Sequence, residues 1–344
     1  MARASSRSRL RTVVPLSKVE APTPLSPPVS TGPNHALHNV HTIFTDYMMP
    51  VFGAGIFFTA LPYMILQIIL CTLWEGADRR SLDLVGCMRR IARLKVFESF
   101  TQHTGDGFIV AALMWLGVVM PALCIHEALY AREHGIVWWR VIAYNVIRIG
   151  PMYKNFAHVY TLAHKEYHTF GGVFIKPLNT VGFRYAFNWI VGPFFGVLPG
   201  TFTHSHQLNH HKYNNGRNDI YSTGGYARDS FWNFMRYVLV WFGYASNITT
   251  VIQFVREGRG RLAAETILAT FYYFAIVAGF AFISPEWACL SLVWAFVEGN
   301  ILLAMVNWVW HAFIDGENPN NDFTTSTTIV NGEEFIFSEE YHVV

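Results

Sequence analysis

The sequence predicts an all-α fold, a multi-span transmembrane helical bundle with a histidine-box metal site on its cytosolic side. The 344-residue chain is 52% hydrophobic and only 14% charged, a balance typical of membrane proteins. Long uncharged stretches alternate with short polar segments, and histidines are concentrated in those segments. We therefore expect a membrane environment and no nucleic-acid partner, although the net charge of +2 by itself says little about partners.

Four stretches are predicted to cross the membrane. Residues 51–74 are 24 uncharged positions, which at about 1.5 Å per residue can cross a hydrocarbon core roughly 30 Å thick. Residues 108–125 give a second candidate. Residues 266–285 and 287–310 are predicted to form a helical hairpin that turns at 284–286.

Three further stretches are less regular. Residues 136–163 and 181–203 are apolar but contain arginines and a lysine, so their status as spans stays open. Residues 231–254 are aromatic and amphipathic, and they are expected to lie along the membrane interface or to form a shallow hairpin.

The distribution of basic residues predicts the orientation of the chain. The segment 75–107 contains six basic residues, Arg79, Arg80, Arg89, Arg90, Arg93 and Lys95. Basic residues prefer the cytoplasmic side of short loops, so this loop is expected inside the cell and the turn at 133–135 outside. The histidines at 164, 204–211 and 311 then all face the cytosolic side.

Two regions are predicted along the chain. Residues 1–50 begin with a segment rich in arginine, serine and proline, which indicates either a disordered tail or an organellar transit peptide. Residues 51–344 form one membrane domain. The four cysteines contain no C-x-x-C pair, so neither a disulfide framework nor a thiolate metal site is expected.

The first histidine pattern is HKEYH at 164–168. On an α-helix, His164 and His168 are about 40° apart and one turn above each other, so both imidazoles can meet one metal ion. Taken alone this spacing is a weak signal, because two exposed or hydrogen-bonded histidines often occur four residues apart.

The second pattern, HSHQLNHH at 204–211, is much more specific. Treated as an α-helix, it places His206 and His210 on one face and His211 about 100° further round, where it can address a neighbouring ion. This arrangement suits two adjacent metals, and the role of His204 stays open. The alternative is a solvated polar loop, but neutral imidazole is the commonest metal ligand and four occur together.

The last apolar stretch carries a polar stripe. Asn300, Asn307 and His311 fall within about 40° on one helix face, and polar groups in a membrane helix should face partners. Glu298 lies about half a turn away. It is therefore interpreted as a paired structural residue, with a functional buried carboxylate as the alternative.

These patterns, followed by Glu-Glu-Tyr-His at 339–342, resemble the histidine boxes of membrane-bound fatty acid desaturases and hydroxylases. The resemblance covers residues 140–344, and the later boxes are most similar to the acyl-CoA desaturase type. The second box departs from that type: it reads H-x-x-x-H-H from His206, where desaturases commonly have H-x-x-H-H. The longer spacing is similar to that of the related alkane hydroxylases.

The resemblance implies a centre of two iron ions. It implies these ligands: His164, His168, His206, His210, His211, His311 and His342. It also implies that Asn307 acts through a water molecule. The family's last box is H-x-x-H-H, and the two histidines expected after His342 would lie beyond Val344. The chain is therefore expected to be truncated within this box and, as written, catalytically silent.

Carboxylates near the boxes are expected to orient imidazole N–H groups and not to bind metal. They are Glu166, Asp219, Asp315 and Glu340.

The function implied is the oxygen-dependent desaturation of a lipid acyl chain, with fatty acid or alkane hydroxylation as the alternative. The implied partners are the lipid, O2 and an electron donor such as cytochrome b5 or ferredoxin. The implied location is the endoplasmic reticulum or, alternatively, a plastid membrane.

A histidine-rich metal transporter or membrane receptor is the hypothesis from another class. A transporter should carry ionisable residues at mid-span, whereas here the histidines lie at helix ends.

Overall fold

The structure, a computed structural model, describes residues 42–81, 87, 90–103, 105–169, 171–213 and 218–310. Within these ranges the chain is helical, and its one strand-like feature is an antiparallel bridge between Thr101 and Phe174. The main helices are α1 (Phe44–Arg80), α2 (Phe108–His134), α3 (Trp138–Ile149), α4 (Lys154–His168), α5 (Phe231–Ala245), α6 (Ile248–Arg256), α7 (Gly260–Ile283) and α8 (Pro285–Val309). Shorter helical segments are Lys95–Glu98, Pro151–Tyr153, Lys176–Thr180, Phe183–Tyr185, Phe187–Val191, Gly192–Phe195, Thr201–His210 and His211–Tyr213.

Four helices, α1, α2, α7 and α8, are long and apolar enough to cross a membrane. They contain 37, 27, 24 and 25 residues and coincide with the four predicted stretches. The predicted all-α membrane bundle is therefore confirmed. α1 extends past the predicted 51–74 at both ends, and its last turn carries Arg79 and Arg80, which favour the negative end of the helix dipole.

The hairpin between α7 and α8 turns where the sequence predicts. α7 ends at Ile283, and the side chain of Ser284 accepts a hydrogen bond from the backbone N–H of Trp287. Pro285 occupies the first helical position, where its missing N–H costs nothing. A helix start of this kind lets the chain reverse direction almost immediately.

The stretch 136–163 does not form one continuous helix. It is divided between α3 and α4 at Gly150, which has a positive φ of 77°, and Pro151, which cannot donate a backbone hydrogen bond. A Cβ at position 150 would lie 2.6 Å from the side chain of Asn155, so the break is also tightly packed. α4 then continues to His168.

The stretch 181–203 is not a span of its own. It folds into several short 3₁₀ and π turns, and Gly196 has a φ of 80°. A Cβ at position 196 would lie 2.4 Å from the carbonyl oxygen of Ala295 in α8. The segment is therefore a compact layer against α8, which the glycine's lack of a side chain permits.

Residues 231–254 form the bent pair α5 and α6. The two axes meet at 71° across residues 246 and 247, so this stretch is not one straight helix, and both sequence expectations, an interfacial position and a shallow hairpin, stay open. The largest buried core lies among α2, α3, α4, α8 and the segment between α4 and α5. Its fully buried members include Leu116, Met120, Val159, Phe187, Phe195 and Leu292.

Glu298 is paired, as predicted. One of its carboxylate oxygens lies 2.5 Å from Nη2 of Arg148, and both side chains are completely buried between α8 and α3. The side-chain oxygen of Asn145 accepts hydrogen bonds from the same guanidinium at 3.2 and 3.1 Å. Burial of two opposite charges in contact indicates a structural pair that holds two helices together.

The basic loop and the histidines lie at one end of the bundle. Lys165, near the end of α4, forms a 2.6 Å ion pair with Asp106, just before α2. Gln102 donates a 2.5 Å hydrogen bond to the carbonyl of Gly172, just after α4. α2 is 27 residues long, so its other end, at His134, lies roughly 40 Å away at about 1.5 Å per residue.

Candidate metal centre

Four imidazoles from two helices converge at the end of α4. His164 and His168 belong to α4, while His206 and His211 belong to the helical segment that begins at Thr201. One ring nitrogen from each lies within 4.8 Å of the others. His206 Nε2 is central, 2.7 Å from His164 Nε2 and 2.9 Å from His211 Nε2.

These separations fit ligands of a single metal ion. Two nitrogen ligands about 2.1 Å from a metal and at right angles to each other are roughly 3 Å apart. A neutral ring nitrogen either donates or accepts one in-plane hydrogen bond, so His206 Nε2 cannot satisfy both neighbours by hydrogen bonding. A cation between the nitrogens satisfies all of them, and the four-imidazole donor set therefore fits a metal.

The pairing in the second box differs from the prediction. Residues Thr201–His210 form a π-helix, and the backbone N–H of His211 donates to the carbonyl of His206, five residues back. A π turn contains more residues than an α turn, so residues four and five apart both lie near one face. His206 is therefore close to both histidines: its Nε2 lies 2.9 Å from His211 Nε2, and its ring centroid lies 5.3 Å from that of His210.

His210 lies beside the four-imidazole group. Its ring centroid is 5.3 Å from that of His206 and 5.6 Å from that of His211. Its Nδ1 is 2.5 Å from a carboxylate oxygen of Asp219, so Nε2 is the nitrogen that can bind a metal. The predicted ligands His311 and His342 lie outside the described residues.

The carboxylates near the boxes play different parts. Asp219 lies where an orienting residue is expected, on the imidazole of His210. Glu166 does not: its carboxylate accepts hydrogen bonds from the backbone N–H groups of Phe187 and Asn188 at 2.8 and 3.1 Å. Glu166 is two residues from each histidine of α4, about 200° round the helix, and so faces away from them. Asp315 and Glu340 lie outside the described residues.

Tyr221 was missed by the sequence reasoning. Its hydroxyl lies 2.9 Å from His206 Nδ1, and its ring centroid is 4.3 Å from that of His210. The side chain is only 3% exposed. It follows Asp219 by two residues, so one short loop supplies groups that contact the outer nitrogens of two imidazoles.

Asn307 is connected to the loop that carries Asp219 and Tyr221 through the side chain of Tyr237. Its side-chain nitrogen donates a 2.5 Å hydrogen bond to the hydroxyl of Tyr237, which in turn donates to the backbone carbonyl of Tyr221 at 3.2 Å. Asn300, about two turns earlier, accepts a hydrogen bond from the indole of Trp241. The asparagine stripe of α8 therefore faces α5, and the water-holding role of Asn307 stays a prediction.

His204 is separate from the four-imidazole group. Its Nε2 lies 3.7 Å from a carboxylate oxygen of Glu265 in α7, and its ring contacts Phe254 of α6. The structure thus places it on the side of the π-helix opposite α4. This position gives it no contact with the four imidazoles.

Comparison with known proteins decides the family. The sequence matches the fatty acid desaturase family over residues 136–344, which is more than half of the chain and includes every histidine box. The chain belongs to the fatty acid desaturase family. Neither the curated proteins nor the solved structures include a match.

Family membership sets the broad function of this desaturase-family protein. It is a membrane oxidoreductase of lipid metabolism, and its family depends on metal. The four-imidazole group provides a place where a metal could be held. The alternative of a metal transporter or receptor gains no support from the match.

The imidazoles of the four-imidazole group are held in the neutral form. Burial, and then the neighbouring histidines, lower the pKa of His164 from 6.5 to about 3. The same causes lower the pKa of His211 to about 4 and that of His206 well below its usual value. Neutral imidazole is the form that binds metal, so binding near pH 7 requires little proton release from this group.

The metal-free protein is expected to lose stability as the pH falls from about 7 to about 4. In this range unfolding exposes imidazoles with a pKa of 6.5, which take up protons that the folded His164 and His211 do not. The midpoint of thermal unfolding in detergent, followed against pH, measures this. In a variant with His164→Gln and His211→Gln the slope should be smaller, and an unchanged slope would contradict the assignment.

Tyr221→Phe is expected to weaken metal binding about tenfold, the size of effect typical for groups that orient a ligand. The substitution removes the hydroxyl at His206 Nδ1 and keeps the ring packed on His210. Competition with a chelator measures the affinity. Tyr226→Phe is the control, since Tyr226 packs on Tyr237 and Trp308, and an equal loss in both variants would argue against the role.

Proposed function

We propose that this protein uses O2 to introduce a double bond into a lipid acyl chain at a centre of two iron ions. The observation that supports this most is the convergence of four imidazoles from α4 and the π-helix within a chain of the desaturase family. Nitrogen ligands suit iron, and iron changes oxidation state whereas zinc does not. When bound, iron would supply the redox chemistry with O2 that an unactivated C–H bond demands.

We assign the first ion to the four-imidazole group of His164, His168, His206 and His211. The second ion would be held by His210 together with His311 and His342. Asp219 and Tyr221 contact the Nδ1 atoms of His210 and His206, which leaves the Nε2 atoms of both rings for metal. Asn307 would hold a water molecule near this centre.

An apolar wall adjoins the imidazoles. The ring of Phe202 is 5.9 Å from those of His164 and His206 and 6.3 Å from that of Tyr160. A methylene group packs favourably against such a surface, while water gains no hydrogen bond there. We propose that this wall guides the acyl chain to the centre and excludes water from it.

The predicted orientation of the chain supports a soluble electron donor. The basic loop, which is predicted to lie on the cytosolic side, packs beside the end of α4 that carries the imidazoles. A one-electron carrier at that surface, cytochrome b5 or ferredoxin, would therefore reach the centre. We propose the endoplasmic reticulum as the compartment, with a plastid membrane as the alternative.

The test is to express the natural gene in a host and to measure both metal and lipids. Iron in the purified protein and acyl chains lighter by two hydrogens would support desaturation. Acyl chains that gain one labelled oxygen from ¹⁸O₂ would favour the second candidate, a hydroxylase, which the H-x-x-x-H-H spacing from His206 suggests. Zinc alone with unchanged lipids would contradict both.

A further inference from the structure

Asn247 has an unusual backbone conformation at the bend between α5 and α6. Its φ is +62°, in the left-handed region that non-glycine residues seldom adopt, and its side chain is 1% exposed. Asparagine adopts this conformation more readily than most other non-glycine residues, so the residue type suits the bend.

The amide of Asn247 connects three elements. Its oxygen accepts hydrogen bonds from the hydroxyls of Ser205 at 3.1 Å and Thr201 at 3.5 Å. Its nitrogen donates to the hydroxyl of Thr270 in α7 at 3.0 Å. The hydroxyls of Ser205 and Thr250 are 2.5 Å apart, which adds α6 to the network.

We call three of these residues, Asn247, Ser205 and Thr250, the Asn247 latch; Thr270 lies outside it and joins Asn247 to α7. Ser205 and Thr250 are fully buried. Buried polar groups that satisfy each other fix a unique arrangement, because any shift would leave one of them unpaired. The latch thus fixes the position of the π-helix against α6 and the bend at Asn247.

Ser205 immediately precedes His206, at the centre of the four-imidazole group. The pairing of His206 with His211 requires the π register, since in an α-helix His211 would lie about 140° away from His206. The π-helix is a rare conformation, and its register has to be maintained by contacts outside its own backbone. The latch supplies such contacts at the residue next to the central ligand.

We infer that the Asn247 latch is a positioning device for the metal centre, one that maintains the π register of residues 201–210. This inference rests on the proposed metal-binding function. The latch residues act through the π-helix and do not touch the metal. The competing explanation is that the latch, together with Thr270, only packs α6 and α7 together.

Three variants separate these explanations. Ser205→Ala removes the hydroxyl that joins the π-helix to the latch. Asn247→Gly removes the amide but tolerates the positive φ, so it avoids the strain that alanine would cause. Thr270→Val is the matched control, because it breaks the contact with α7 and leaves Ser205 bonded to Asn247.

Two measurements report whether residues 201–210 keep the π-helical register. Hydrogen exchange in the metal-free protein reports on the His211 amide, whose π-type bond goes to the carbonyl of His206. Titration with Co²⁺, followed by its visible absorption, reports on ligand geometry and affinity. We expect Ser205→Ala and Asn247→Gly to speed exchange and to weaken Co²⁺ binding by about tenfold or more each, whereas Thr270→Val leaves both unchanged.

Opposite results would overturn the inference. Wild-type exchange and Co²⁺ spectra in Ser205→Ala would show that the latch does not set the register, and equal losses in Thr270→Val would show simple packing. If Asn247→Gly fails to fold, Ser205→Ala decides alone. If the wild-type protein binds no Co²⁺, the proposed metal centre fails, and exchange at His211 still tests whether the latch maintains the register.

Discussion

In the protein expressed from the natural gene, His206→Ala is expected to abolish lipid oxidation and to remove metal from the four-imidazole group. His206 Nε2 is the nitrogen closest to its neighbours, 2.7 Å from His164 and 2.9 Å from His211, so its loss leaves the remaining imidazoles without their central member. The loss in metal affinity should exceed the roughly 100-fold upper range known for groups that only orient a ligand. Metal analysis of the purified variant and lipid analysis of its host measure the two effects.

Insertion into the membrane should survive this substitution. The four spanning helices satisfy their own backbone hydrogen bonds in lipid, and none of them carries His206. Extraction from membranes with carbonate and detergent checks this. A variant that fails to insert would instead show that the π-helix is needed for assembly of the bundle.

Matched controls come from histidines elsewhere in the chain. His126→Ala and His134→Ala lie in the half of α2 far from α4 and should keep both metal and activity. His204→Ala is the sharper control, because it lies in the same π-helix but faces Glu265. Metal loss in His134→Ala with metal retained in His206→Ala would refute the location of the centre.

The site was only partly predictable from the sequence. The spacing of His164 and His168 is sufficient to predict that their imidazoles lie together. α4 is a regular α-helix over these residues, and the two ring centroids lie 4.4 Å apart. The spacing of His206 and His211 is not sufficient to predict that their imidazoles meet, because the π register of this segment depends on contacts with distant residues such as Asn247 and Thr250. Helical periodicity alone would have shown that Glu166 faces away from the histidines.

Tyr221 illustrates a different limit. Its role depends on how the loop after His211 folds back, and no short pattern in the sequence reports that. A signal existed in Asp219, which was expected to orient an imidazole, and a hydroxyl two residues further was a reasonable second candidate. The loop conformation decides which imidazole each of them reaches.

The membrane spans were predictable because the partitioning of a helix into the bilayer depends on the hydropathy of its own residues, which the local sequence gives. The breaks between the shorter helices were harder to predict from the sequence. Gly150 and Pro151 divide an apolar stretch that by composition continues from 136 to 163, and the pair is a recognisable stop signal for a helix. The compact segment against α8 depends on a contact between Gly196 and Ala295 that no local pattern contains.

Arg148→Ala and Glu298→Ala are each expected to destabilise the fold by about 3–5 kcal/mol, because either change leaves one charge buried without its partner. The two groups are 2.5 Å apart and completely buried, and they join helices separated by 150 positions in sequence. Unfolding in detergent micelles titrated with a denaturing detergent measures the loss. The expected magnitude is a large fraction of the stability of an ordinary domain.

The double variant Arg148→Met and Glu298→Leu tests whether the pair is structural or catalytic. Removing both charges and keeping the volume should recover most of the stability lost in the single variants, although Asn145 loses the guanidinium that its oxygen now accepts from. Because the pair contacts none of the four imidazoles, metal content and turnover per folded molecule should stay near the wild-type values. A stable, metal-loaded double variant that no longer oxidises lipid would mean that Glu298 takes part in the chemistry and that its pairing with Arg148 is the resting arrangement of a functional carboxylate.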